Sequence, residues 1–167
     1  MKPIRKILAP TDLSQFSETG VRYALNLAKD IGAEVTVYHV VNSDELIQYG
    51  EEMKEKIASD RAFRLPESFL EKDQLALRRY LKDHFADLIP SVNICEKVEL
   101  GRTEESIVEE AKKHAADLIV ISSHGRTALA YIVKGSVTEK LIRNAPCPVL
   151  SIGPESIETM AEGPSAV

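Results

Sequence analysis

The sequence predicts an α/β fold: one domain on an open parallel sheet of five strands, with helices on both faces. Three observations carry that expectation. Short apolar runs alternate with longer stretches of helical periodicity, in the order β-α-β-α-β-α-β-loop-α-β. The run at 118–121 is apolar without interruption, as strands covered on both faces are. And 167 residues with 44% apolar content can bury a core that needs no disulfide or metal.

The elements follow in order. Residues 4–9 form an apolar strand that ends at Pro10, with Thr11 and Asp12 after it. Ser14 or Ser17 then caps a helix, because a short hydroxyl side chain can take an unpaired first-turn N–H. Phe16, Val21, Ala24, Leu25, Ala28 and Ile31 give that helix its apolar stripe, and Gly32 stops it. Residues 35–41 are β-branched and read as the second strand. Residues 43–65 are dense in Glu, Lys and Asp without a clean period, and read as an irregular or helical insertion.

A long amphipathic helix is expected over 66–88, with Pro66 in its first turn and Pro90 closing it. Phe69, Leu70, Leu77, Leu81 and Phe85 mark its buried side. Residues 92–100 match a strand's period of two poorly, but Gly101 ends the run and a helix start follows. Thr103 is the expected cap there, with Glu104 and Glu105 at the positive dipole end and Ile107, Val108, Ala111 and Ala115 facing inward. After the strand at 118–121, a helix over 136–144 runs into Ala145-Pro146, and Val149–Ile152 makes the last strand. Residues 1–153 thus read as the domain and 154–167 as a flexible tail.

Composition excludes some partners. A net charge of −5 argues against nucleic acid or an anionic membrane as a partner, since those interfaces need a basic face. No apolar stretch approaches the roughly 20 residues of a membrane span, and Met1-Lys2-Pro3 leads straight into the first strand, so a cytoplasmic protein is expected. Cys95 and Cys147 have no C-x-x-C partners and read as buried structural thiols.

The chemistry gathers at two strand ends. Ser122-Ser123-His124-Gly125 leaves the fourth strand, and nine residues separate Gly125 from Gly135-Ser136-Val137 at a new helix start. A glycine lets the backbone approach an anion, and a helix start offers unpaired N–H groups, so this is a candidate phosphate loop. Arg126 and Lys134 bracket it; His124 has no second His or Cys at ligand spacing, which argues against a metal. Pro10, Thr11 and Asp12 lie at the other end; if the first and fourth strands are neighbours, Asp12 faces the loop across a crevice. A carboxylate there accepts from ribose hydroxyls or holds a divalent metal.

Several segments carry a more specific likeness. Leu8-Ala9-Pro10-Thr11-Asp12, His39-Val40-Val41, Ser123-His124-Gly125-Arg126-Thr127, Gly135-Ser136-Val137-Thr138-Glu139-Lys140 and Ala145-Pro146-Cys147-Pro148-Val149-Leu150 resemble the universal stress protein family, in order and across nearly the whole chain. The resemblance implies a Rossmann-like, adenine nucleotide alpha hydrolase-like sheet of order 3-2-1-4-5. It implies ATP binding, or AMP or ADP, with Mg²⁺ near Asp12, and a homodimer through Val149–Ile152. The family's Gly-x-x-Gly-x9-Gly-Ser/Thr loop falls on Ser122, Gly125, Gly135 and Ser136, its acidic residue on Asp12, and its adenine-facing backbone on Val40. The one departure is Ser122, where the family has glycine. At positive φ a serine there would cost about 1 kcal/mol or more and reshape the pocket; in ordinary strand geometry it is harmless and can donate a hydrogen bond.

The function expected is therefore an ATP-binding, dimeric stress-response or signalling module with at most slow ATP hydrolysis. The alternative is a scaffold of the same family that binds no nucleotide, or only AMP. An ATP pyrophosphatase or nucleotidyl transferase is disfavoured, since Pro10-Thr11-Asp12-Leu13-Ser14 lacks the glycines of a pyrophosphate loop. Residues 43–65 follow the strand bearing Val40, which suggests a lid over the adenine.

Overall fold

A computed structural model describes residues 2–42, 70–123 and 137–153. The described residues form a parallel five-stranded sheet in the order β3-β2-β1-β4-β5. Its strands are β1 (Lys6–Thr11), β2 (Glu34–Asn42), β3 (Asn93–Gly101), β4 (Leu118–Ser122) and β5 (Val149–Ile152). The helices are α1 (Glu18–Ile31), α2 (Glu71–Phe85), α3 (Thr103–Lys113) and α4 (Val137–Asn144). The insertion at 43–65, the tail at 154–167, and His124, Gly125, Arg126, Lys134, Gly135 and Ser136 lie outside the described residues.

Strand alternation divides the core between the two faces. Ile7, Ala9, Val35 and Val37 pack against α1 and α2, through Val21, Ala24, Leu25 and Ala28 of the first and Leu77, Leu81 and Phe85 of the second. Leu8, Tyr38, Val40, Ile119 and Ile121 pack the other way, against Ile107 and Ala111 of α3 and Leu141 of α4. Burying each such Val, Leu or Ile contributes about 1.5–3 kcal/mol, which is what closes both layers. Gly32 ends α1 at φ 70°, a left-handed conformation that glycine adopts without a Cβ clash.

Several element boundaries differ from the sequence reading. β1 runs two residues further, so Pro10 and Thr11 belong to the strand and pair with Tyr38 and His39. Phe16 and Ile31 are exposed and stand off the α1 stripe. Ser17 precedes α1 without capping it through its side chain, and α3 is preceded by an extended Arg102 rather than capped by Thr103. Ala115 falls beyond α3, exposed and at φ 50°. α2 stops at Phe85, and Pro90 sits in a separate 3₁₀ turn, Ile89–Ser91.

The alternation of β3 is regular: Val92, Ile94 and Val98 pack on the α1–α2 core, while Lys97 turns to Glu110 on the opposite face. The buried-thiol reading fails for both cysteines. Cys95 lies on the polar side of the edge strand β3 and is exposed, and Cys147 is half-buried.

Candidate functional site

The site opens where β1 and β4 part. Along β1, the Arg5 carbonyl accepts from Glu34 N–H toward β2 and the Lys6 carbonyl from Asp117 N–H toward β4. Backbone groups alternate sides along a strand, so Pro10, like Lys6, faces β4 and has no N–H to give. The β1–β4 pairing ends at Leu8 and Ile119, two residues earlier. The sheet order also reverses here, with β2 and β3 on one side and β4 and β5 on the other. A sequence feature, one proline, thus separates two adjacent strands at the sheet's topological switch point.

A cleft of about 460 Å³ fills that opening. Pro10, Thr11, Asp12, Val40, Ser122 and Val137 all line it, although Asp12 and Ser122 are more than a hundred residues apart in sequence. Residues to which the sequence reading gives no site role line it too: His39 and Tyr38 of β2, Asp73 and Ala76 of α2, and Thr138 of α4. A histidine within a β-branched strand was the available signal for the first of these. The α2 residues carry no local signature, because only packing brings that helix to the cleft.

The loop after β1 is held by its own side chains. Asp12 Oδ1 accepts from the backbone N–H of Ser14 at 3.0 Å and from the Ser14 hydroxyl. Leu13, between them, sits at φ 61°, which costs an L-residue about 1–2 kcal/mol and persists only where neighbours enforce it. Thr11 Oγ1 takes the Leu13 N–H at 3.0 Å. It also lies 2.7 Å from Ser17 Oγ, and Ser17 Oγ lies 3.2 Å from the Tyr80 hydroxyl.

The donors in this chain follow by elimination. Ser17 spends its one hydrogen on the Ser14 carbonyl, 2.8 Å away, so Thr11 and Tyr80 both donate to it. Burial raises the Tyr80 phenol, against the opposing pull of Ser17 and Thr11, which keeps it a neutral donor. Tyr38 is likewise neutral: burial first, then the Glu99 carboxylate bonded to its hydroxyl at 2.6 Å, push its phenol far up.

Ser122 is a buried strand residue, and Leu13 and Ala115 are the non-glycine residues at positive φ among those described. Its geometry is therefore the ordinary strand one. The hydroxyl accepts from Gly20 N–H at 3.1 Å and lies 3.1 Å from Thr19 Oγ1. Thr19 donates to the Phe16 carbonyl, so the Ser122 hydrogen goes to Thr19. Thr138 Oγ1 of α4 donates in turn to the Ser122 carbonyl at 3.4 Å. Among the described residues no three His, Cys, Asp or Glu side chains gather as a metal site, and no helix is long and apolar enough to cross a membrane.

An open parallel sheet with a cleft at its switch point defines an α/β protein of the Rossmann-like class. Comparison with known proteins narrows that class. The universal stress protein family profile matches residues 3–152, and the chain belongs to that family. A universal stress protein of Methanocaldococcus jannaschii, MJ0531, is 36% identical over 148 residues, spanning 89% of this chain and 81% of its own length. The solved structure of MJ0577, from the same organism, superposes with a TM-score of 0.64 at 29% identity over 91% of this chain and 97% of that one. The universal stress protein of Archaeoglobus fulgidus in complex with dAMP superposes at 0.56 with 21% identity, over 90% and 99% of the two chains.

Proposed function

We propose that this protein binds an adenine nucleotide, with ATP as the favoured ligand, in the cleft between β1 and β4, and acts as a dimeric stress-response or signalling module. The observation that carries the reading is convergence: Asp12 at the end of β1, Val40 on β2, and Ser122 and Val137 flanking the loop after β4 line one cleft. Asp12 supplies the carboxylate that accepts from ribose hydroxyls, and the Val40 backbone supplies the adenine edge. The loop from Ser122 through Gly125, Arg126, Gly135 and Ser136 to the N-terminus of α4 takes the phosphates, where the helix dipole favours negative charge. The α/β relative with dAMP illustrates the fold, and the case for this chain rests on its own residues.

Ser122 does not argue for an empty scaffold, because its hydroxyl is bonded to α1 rather than filling the cleft. Mg²⁺ enters with the phosphates, beside Asp12, since no preformed set of ligands waits for it among the described residues. Hydrolysis is slow at most, because Pro10-Thr11-Asp12-Leu13-Ser14 lacks the glycines of a loop that grips pyrophosphate. The dimer forms through β5, the sheet's outer strand, where Val149 and Leu150 are only half-buried.

Calorimetry with ATP and Mg²⁺ tests the reading, alongside mass spectrometry of the protein as purified. Saturable binding at micromolar to low millimolar nucleotide is expected; no heat at several millimolar and no retained nucleotide would sink it. Light scattering of the purified chain reads the dimer directly.

A further inference from the structure

His39 has no role in the nucleotide reading so far, yet it is the polar residue of a strand whose inward face is otherwise apolar. Val35, Val37 and Val41 share its side of β2 and pack on the α1–α2 core, and His39 itself is 9% exposed. An imidazole at such a position is costly unless its polar atoms are satisfied. Nδ1 lies 2.9 Å from the carbonyl oxygen of Thr11, its register partner across the β1–β2 ladder. A carbonyl only accepts, so Nδ1 carries the hydrogen, and the other ring nitrogen belongs to an imidazole that lines the cleft.

The bond falls on a particular peptide. The Thr11 carbonyl belongs to the amide that joins Thr11 to Asp12, so fixing its direction fixes where the Asp12 backbone starts. The next residue, Leu13, is held at φ 61°, so the loop does not adopt this path by local preference. The Thr11–Ser17–Tyr80 hydroxyl chain holds the side-chain side of Thr11, and His39 holds its carbonyl side. The Thr11–His39 register also turns this carbonyl toward the backbone of β2, so His39 adds a side-chain donor at the last rung before the loop, where the ladder alone restrains the peptide least.

We propose that His39 is a positioning residue: its Nδ1–H fixes the Thr11–Asp12 peptide so that the Asp12 carboxylate faces the ribose of the bound nucleotide. This rests on the nucleotide reading above. A histidine that merely fills the core would change stability when replaced, but not how the site reads ribose hydroxyls. His39→Asn and His39→Leu separate the two, because the Asn side-chain amide can place a donor near the Nδ1 position and Leu cannot.

The experiment has two arms on the full chain. In the first, calorimetry compares ATP with 2′,3′-dideoxy-ATP, which lacks the hydroxyls Asp12 would accept from. Wild type and His39→Asn are expected to favour ATP by about tenfold or more, the scale of one hydrogen bond to a charged group. His39→Leu is expected to favour it by less than about threefold, which at RT scale is a near-loss of that bond. In the second arm, without nucleotide, amide exchange at Leu13 and Ser14 should quicken in His39→Leu and not in His39→Asn, while Val37 stays protected in both.

Full ribose discrimination in His39→Leu, or failure of His39→Asn to restore it, would overturn the proposal, as would wild type binding both nucleotides alike. Absence of any binding by wild type would overturn the nucleotide reading instead, and the exchange arm would then decide the positioning claim alone. If His39→Leu does not fold, His39→Gln takes its place, since it keeps an amide but carries it one methylene too far.

Discussion

The Ser122 hydroxyl lies 3.1 Å from the backbone nitrogen of Gly20, so the last residue of β4 accepts a hydrogen bond from the third residue of α1. The first turn of a helix has N–H groups without partners in the helix, and Ser17 offers α1 no side-chain cap. Ser122 does the capping from across the sheet. The residue that departs from the family's loop pattern is thereby tied to helix packing as well as to the cleft.

Ser122→Ala should therefore cost stability and leave binding nearly alone. Losing a cap of this kind costs about 1 kcal/mol, or roughly 2–4 °C in Tm for a chain of this size. ATP affinity should change by less than about threefold, since the hydroxyl points to α1. Thermal melts and calorimetry on the same preparation check both, and a large loss of affinity would mean that the hydroxyl serves the ligand.

Gly20→Ala tests the same contact from the helix side. A Cβ on Gly20 would stand 2.6 Å from the Ser122 nitrogen and 2.9 Å from the Ile121 carbonyl carbon, and backbone atoms cannot rotate away. Alanine gains about 1 kcal/mol of helix propensity, but overpacking costs about 1–3 kcal/mol and moves α1 off β4. The net result expected is a lower Tm than that of Ser122→Ala, with weaker nucleotide binding because the exit of β4 shifts.

Asp12→Asn separates charge from loop structure. The Asn oxygen can still accept from Ser14, as Asp12 does now, so Tm should stay within about 1 °C, the range of a neutral surface change. ATP affinity should fall about tenfold, the value of a hydrogen bond to a charged acceptor. A fall in Tm with unchanged affinity would reduce Asp12 to a turn-former.

The fold was legible in the chain because periodicity reports burial: Val21, Ala24, Leu25 and Ala28 read as one helix face and are one. The strand order was implied by the family resemblance rather than by any residue, since pairing between β1 and β4 leaves no local trace. Where the reading failed, a tertiary cause competed with a local one. Thr103 has cap chemistry, but α3 begins one residue earlier in the chain's path, after an extended Arg102. Cys95 looks like a core thiol by residue type, yet β3 is an edge strand whose polar face lies open. At the site, Asp12 and Ser122 stood out because each follows or ends an apolar run, and because the family's acidic and loop positions fall on them. His39 and Tyr80 did not, because each acts through a backbone or hydroxyl that only the folded chain brings near.

The sheet's opposite end carries a pH dependence that should leave the cleft untouched. Asp117, just before β4, bonds Lys2 Nζ at 2.7 Å and the backbone N–H groups of Arg5 and Lys6 at 3.0 and 3.1 Å. The Lys2 ammonium first, then the Arg5 N–H, hold its carboxyl down at about 2. In the unfolded chain the same group titrates near about 3.9. Between those values the unfolded chain binds the proton more readily, so the stability Asp117 contributes is whole above about pH 5 and drains as pH falls toward 2. Asp117→Asn removes that titration. The Tm gap between wild type and Asp117→Asn should therefore be widest above pH 5 and close as the pH approaches 2. It should also narrow with added salt, because Lys2 is exposed and its charge is screened. A gap that stays constant from pH 6 down to 2 would mean that the carboxylate's charge contributes nothing, and that only the backbone bonds, which Asn keeps, anchor the start of β1.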